Sequence, residues 1–320
     1  MESILSNERN QKYNKMKPII KIGIAYHKRC NFYKSDMFIP IQVGAARSNS
    51  NFGIQKDSEG NNISFANAYC SEMSASYWLW KNCDADYKGL FHYRRFLTFK
   101  KQCVTKRLKN AILYIATKMA SPFIKDSWIK YLAYPNFSIS ENQVGEVLNE
   151  FEHDLLCNIK NNNIDCYSAG YMYHSTYSVK THLQRAIGYW HSQKIKEIIS
   201  DKFPEFNKYF LLTLSDNKFV GYNMIVAKDE IYDDYCKTIF NILAIYHEYM
   251  NENIPDNIKN NALLRDYGYI AELLTDSYLR KLKNEGKKVM HLGVVSADIE
   301  LGGMSYRKKT LLRQIIDKLR

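Results

Sequence analysis

Ser64 to Phe96 reads SFANAYCSEMSASYWLWKNCDADYKGLFHYRRF, and its second half decides the fold. From Asn67 to Asn82 no Pro or Gly interrupts the helix formers, and Tyr69, Met73, Tyr77 and Trp80 recur at three- and four-residue spacing, which predicts an amphipathic helix. Ser64 suits its N-cap and Asn82-Cys83-Asp84 its exit, because these side chains satisfy loose backbone groups at helix ends and turns. Tyr87 to Phe91 then reads as a short buried strand running directly into His92, Tyr93, Arg94 and Arg95. In an open parallel sheet, ligands bind beyond the carboxyl ends of the strands, so two adjacent arginines at that point predict a phosphate clamp. The structural alternative is a pair of ion-paired arginines beside a satisfied core histidine.

Ile19 to Tyr26, an apolar run interrupted only by Lys21 and Gly23, suits a first buried parallel strand, with His27 and Lys28 at its carboxyl end. Phe38 to Val43 is a second apolar run, and the small Gly44, Ala45 and Ala46 after it would let a ligand approach the backbone. Asn49 to Asn62 is rich in Ser, Asn, Gly and Asp and reads as a flexible covering loop. Further along, Glu146 to Leu156 and Thr181 to Ser200 read as helices and Asp165 to Tyr173 as a tyrosine-rich strand or loop. Phe219 to Ala227 reads as a strand carrying Asn223, followed by helices over Ile231 to Met250 and about Asn261 to Lys283. The fold class this predicts is α/β.

The chain has 320 residues and 46% hydrophobic content, enough for one large domain with a sizeable core. No run of about 18 apolar residues occurs, and the leader over residues 1–17 lacks the apolar stretch of a secretory signal. A cytoplasmic protein is therefore expected. Its seven cysteines include no C-x-x-C pair and read as reduced, mostly buried thiols. The formal net charge of +12 is concentrated in two places: Thr98 to Lys130 holds eight basic residues against Asp126, and Gly302 to Arg320 holds six against Asp317. Two discrete docking patches argue against a nucleic-acid reader, whose basic residues spread over one face. In the first patch Leu108, Ala111, Ile112, Ile115 and Met119 line one helix face, and in the second Leu311, Leu312, Ile315, Ile316 and Leu319 do. Both patterns fit helices lying on an anionic membrane surface. Both equally fit helices packed on the domain with a solvated basic side.

Two motifs are set aside. Asp84-Ala85-Asp86 spells the D-x-D of metal-dependent sugar transferases, but it precedes a strand where such carboxylates must follow one. Gly302-Gly303 has no strand-loop-helix context for a phosphate loop.

Several phrases together carry a resemblance: AYHKR from Ala25, PIQVGAA from Pro40, NNISFANAYCSEMSASYWLWKN from Asn61, DYKGLFHYRRF from Asp86, YNMIVAKDEIYDDYC from Tyr222 and RDYGYIAELL from Arg265. The chain resembles the bacterial capsular polysaccharide and O-antigen synthesis proteins catalogued as domain of unknown function 4422, some of them galactofuranosyl-type transferases of glycosyltransferase family 111. The resemblance implies a GT-A-like nucleotide-sugar-binding domain with a mostly parallel central sheet. Such a domain would span residues 18–283, with a basic helical insertion at about 98–132 that departs from the family and a basic amphipathic tail over 284–320. It further implies transfer of a hexose, such as galactose or galactofuranose, from a UDP-sugar to a polyprenyl-diphosphate-linked glycan at the inner face of the membrane. The expected donor contacts are His27, Lys28, Gly44, Ala45, Asn67, His92, Tyr93, Arg94, Arg95, Asn223 and Arg265. Glu272 and Asp266 are the expected bases, because an inverting displacement needs a group to take the acceptor's proton. No cofactor is expected, since cations at the strand ends can neutralise the leaving diphosphate. A divalent ion such as Mn or Mg remains open, with Asp165 as a single ligand. Two other readings stand beside this one: a lipid-binding regulatory protein without chemistry, and a transferase of sugar phosphates.

Overall fold

The computed structural model describes residues 18–120, 128–130, 136–174, 176–253 and 266–298. The leader over 1–17, Arg265, and the basic tail from 299 onward, with its Gly302-Gly303 pair, lie outside the described residues. The chain opens with β1 (Ile20–Tyr26), β2 (Phe38–Gln42) and a two-residue β3 (Gln55–Lys56), then a single helical turn at Asn67–Cys70 and helix α1 (Met73–Asn82). Tyr93 and Arg94 join β4 (Tyr87–His92) to β5 (Arg95–Thr98), and α2 (Val104–Met119), β6 (Trp128–Lys130), β7 (Asn136–Ser140) and α3 (Val144–Asn162) follow. Next come β8 (Cys166–Ala169), β9 (Tyr171–His174), α4 (Val179–Ile187), α5 (Tyr189–Lys202) and α6 (Pro204–Ser215). Last are β10 (Lys218–Val220), β11 (Ile225–Lys228), α7 (Asp229–Asn253), α8 (Asp266–Asn284) and β12 (Val289–Asp298).

The main sheet runs β11-β8-β12-β5-β4-β1-β2-β3, with β7 also against β12. Its β4-β1-β2-β3 side is parallel, which is what the continuous apolar runs predict. The rest mixes both directions: β12 runs parallel to β7 and β8, but β5 returns antiparallel from β4, β12 runs antiparallel to β5, and β11 runs antiparallel to both β8 and β4. The sheet is therefore mixed rather than mostly parallel, and the smaller β10-β9-β6 sheet is antiparallel. Because β11 pairs with β4 as well as β8, the strands β4, β11, β8, β12 and β5 close into a ring. Gly89 permits that closure, since a β-carbon there would come within 2.6 Å of the Ile225 carbonyl oxygen. Strand alternation places helices on both faces. Leu90 lies near Gly23 and Leu79 of α1, while the next residue, Phe91, packs edge-on against Phe151 of α3 at 5.2 Å between ring centres. Burying chains such as these is worth about 1.5–3 kcal/mol each.

Several predicted elements differ from the structure, and two of the differences, at Ser71 and at Tyr222-Asn223, shape the cleft. The helix expected from Asn67 to Asn82 breaks at Ser71, whose φ is +51°. The Asn67 amide donates to the Ser71 carbonyl (2.6 Å) and the Ser74 hydroxyl (2.9 Å), so a side chain competes with the helical backbone pattern. The strand expected over Phe219 to Ala227 splits between the two sheets, with Tyr222 and Asn223 at φ +75° and +51°. The helix expected over Thr181 to Ser200 divides at Gly188. Residues 289–298, placed in the tail by their position after the last helix, form β12 at the centre of the sheet. The Asn49 to Asn62 loop is pinned rather than loose, because the buried Asp57 holds neighbouring backbone. All seven cysteines are free thiols, as expected, but only Cys70, Cys166 and Cys236 are buried. Among the described residues no helix is long and apolar enough to cross a membrane.

Candidate active site

β1 and β4 lie side by side in parallel with Ala25 opposite His92, so their carboxyl ends bring His27 and Lys28 beside His92, Tyr93, Arg94 and Arg95. These six residues line one cleft of about 520 Å³, closed from the other side by Ser71, Glu72, His182, Tyr222, Tyr269 and Glu272. A smaller adjoining cavity of about 200 Å³ shares His27, Ser71, Glu72 and His92, and is lined also by Val43 and Asn67.

Aromatic rings rather than carboxylates hold the cations. The buried Tyr93 ring has Lys28 Nζ at 5.5 Å and Arg94 Cζ at 5.0 Å, and Arg95 Cζ lies 4.2 Å from the Tyr222 ring centre. His27 and His92 pack on Tyr93 at 4.6 and 4.5 Å. Such contacts orient a cation without cancelling its charge. Among the described residues, Lys28, Arg94 and Arg95 have no acidic partner, and the buried Arg94 Nε–H has no acceptor. The ion-paired alternative for these arginines is not what the structure contains. A buried donor without an acceptor is costly, and three uncompensated cations at one mouth suit an anion with several oxygens.

Two carboxylates face the same cleft. Glu272 lies on α8, one turn after Gly268. Glu72 stands at the break before α1, and its Oε1 accepts from Asn223 Nδ2 at 2.9 Å. Asn223 Oδ1 in turn accepts from Thr275 Oγ1 at 3.2 Å, so α8 fixes the amide that fixes Glu72. The backbone strain at Tyr222 and Asn223 costs of order 1–3 kcal/mol per residue. It places one side chain over Arg95 and the other against Glu72. Asn223, an expected donor contact, is buried behind Glu72, and its amide donates to that carboxylate.

The remaining candidates lie elsewhere or act differently. Gly44 N–H and Ala45 N–H donate to Asp57 Oδ2 (2.8 Å) and Oδ1 (3.0 Å), so neither is available to a ligand. Gly44 instead serves close packing: at φ +67°, a β-carbon would come within 2.6 Å of Asn67 Oδ1. Asn67 lines the smaller cavity while its amide shapes the Ser71 break. Asp266, an expected base, is buried away from the cleft, with Oδ2 3.3 Å from His191 Nδ1, which also lies 2.9 Å from the Tyr246 hydroxyl. Burial pushes its carboxyl up to about 7 and the His191 ring down. Asp165, the expected single metal ligand, is paired with Lys228 at 2.7 Å and accepts from Lys288 N–H. Asp86 of the D-x-D caps the start of β1 by accepting from Ile19 N–H. Among the described residues no group of three or more His, Cys, Asp or Glu side chains could hold a metal ion. Glu72, Tyr222, Tyr269 and His182 escaped sequence reasoning. Only Glu72 left a signal there, as the single acid of a phrase that otherwise read as helix.

An α/β protein with a cationic, aromatic-lined crevice at its strand ends is the class that fold and site define. The chain belongs to the family described as Domain of unknown function (DUF4422), which matches residues 21–285. It is similar to the apo structure of the bifunctional glycosyltransferase WbbM, with a TM-score of 0.65 and 25% identity over 88% of this chain and 46% of that one. The chain thus spans about half the length of that protein. No curated protein matches it.

Proposed function

We propose that the chain is a glycosyltransferase that takes a hexose from a nucleoside diphosphate sugar and passes it to a glycan hydroxyl. The observation that carries this is the convergence of Lys28, Arg94 and Arg95, uncompensated among the described residues, with the carboxylates of Glu72 and Glu272 in one cleft. Likeness to a glycosyltransferase over most of the chain supports it. In the reaction the acceptor oxygen attacks the anomeric carbon, the bond from that carbon to the diphosphate breaks, and the electron pair leaves with the nucleoside diphosphate. The three cations offset the negative charge that develops there, in a site where preorganised charge is most effective. One of the two carboxylates takes the acceptor's proton, and a single displacement of this kind inverts the anomeric carbon. A GT-A-type donor site, a UDP-sugar carrying galactose or galactofuranose, and a lipid-linked acceptor in bacterial capsule or O-antigen assembly complete the reading. Calorimetric titration with a panel of nucleotide sugars tests the proposal: one should bind saturably and be displaced by its own nucleoside diphosphate. Failure of every nucleotide sugar to bind would overturn it.

A further inference from the structure

Helix α2 is packed on one side only. Tyr114 faces the domain, its hydroxyl accepting from Asn217 Nδ2 and its ring 5.9 Å from that of Tyr173, while Thr117 is the helix's single buried residue. At 100° per residue, Val104, Leu108, Ile112, Ile115 and Met119 fall together on the opposite side. These five large apolar side chains are 58 to 79% exposed. A contiguous apolar stripe of that kind is uncommon on a soluble surface and marks an interaction site. Arg107 and Lys118 border it on one flank and Lys109 on the other, and α2 contains four basic residues and no acidic one.

We infer that α2 lies in the headgroup layer of an anionic bilayer, with its apolar stripe down and its basic flanks on the lipid phosphates. The charge pattern selects this occupant. A protein partner would require an apolar ridge ringed by acids. A second copy of the chain would set the same basic flanks against each other, since a two-fold contact repeats one surface on both subunits. A helix of this composition enters an interface by burying its apolar face and by attraction to anionic lipid. Anionic headgroups, rather than free phosphate, are committed to because phosphate gives the stripe nothing to enter.

The test uses the full chain and sedimentation with vesicles of phosphatidylcholine alone or mixed with about one third phosphatidylglycerol. Wild type should sediment with the mixed vesicles at low salt, be released as salt rises, and ignore neutral ones. Leu108→Gln with Ile112→Gln and Ile115→Gln, all at exposed positions, should lower vesicle affinity about tenfold or more. Arg107→Glu, Lys109→Glu or Lys118→Glu should each lower it about fivefold or more. Circular dichroism and nucleotide-sugar binding equal to wild type would show that these variants fold. Wild-type vesicle binding by the triple variant would overturn the inference and assign docking to another segment. So would absence of wild-type binding to anionic vesicles, or a stripe that holds wild type as a dimer in sedimentation velocity and releases it as a monomer in the triple variant.

Discussion

Replacing Arg94 by alanine should separate binding from stability. In a charge-assisted contact with phosphate, a guanidinium contributes about 1.5–3 kcal/mol, so donor affinity should fall roughly 10- to 150-fold. Fold stability should not fall with it. Arg94 Nε is buried without an acceptor, an arrangement that costs about 1–3 kcal/mol. The contact given up is its approach to the Tyr93 ring at 5.0 Å, worth about 0.5–1 kcal/mol. The unfolding midpoint should therefore stay level or rise. Arg94→Lys should restore affinity only partly, because an ammonium lacks the planar fork that holds two phosphate oxygens. Arg280 is the opposite case, bonded to the buried Asp276 at 2.7 Å and to Asp216 at 2.9 Å. Arg280→Ala should cost about 3 kcal/mol of stability and leave donor affinity alone. Calorimetry with the donor and urea unfolding of each variant read both quantities. An Arg94→Ala protein that binds the donor normally but unfolds earlier would refute the reasoning, because Arg94 would then be structural.

Among the carboxylates, either Glu72→Gln or Glu272→Gln should lower turnover about 100-fold or more, as loss of a general base does, with normal donor affinity; near-normal turnover in both would remove the proposed base. Asp266→Asn should change pH dependence rather than catalysis. Burial pushes the Asp266 carboxyl up to about 7 from an ordinary value of 3.8, so the stability held by its neutral form is full below about pH 4 and lost as pH rises through 7. Relative to wild type, the variant should gain on the order of 4 kcal/mol between pH 4 and pH 8, with His191 the titrating neighbour to control for; parallel urea-unfolding profiles would contradict this. Because cations face the expected diphosphate, activity should persist in EDTA, and complete loss restored by manganese would reassign that charge neutralisation to a metal.

The cationic half of the site was legible because it follows from local rules. Apolar runs end in His27-Lys28 and in His92 to Arg95, and adjacency of parallel strands brings those ends together. The carboxylate half depends on departures from periodicity. Nothing in spacing alone distinguishes Ser71-Glu72 as a break within an otherwise helical phrase; the break arises when the Asn67 side chain takes the Ser71 carbonyl. The same holds for Tyr222 and Asn223, whose apolar neighbours read as one strand although they serve two sheets. Asp57 looked like loop composition and is a buried clamp on Gly44 and Ala45. β12 was hidden because its pairing partners β5 and β8 lie far back in sequence, and long-range pairing leaves no local trace. Asp266 shows the reverse error: a carboxylate near the right phrase, aimed into the core.

Product analysis tests the central claim most directly. The protein incubated with its bound nucleotide sugar, with or without a glycan acceptor, should release nucleoside diphosphate and either transferred or free hexose. Release of nucleoside monophosphate with a sugar phosphate would contradict it, because the bond broken would then lie within the diphosphate that Lys28, Arg94 and Arg95 are proposed to hold as the leaving group.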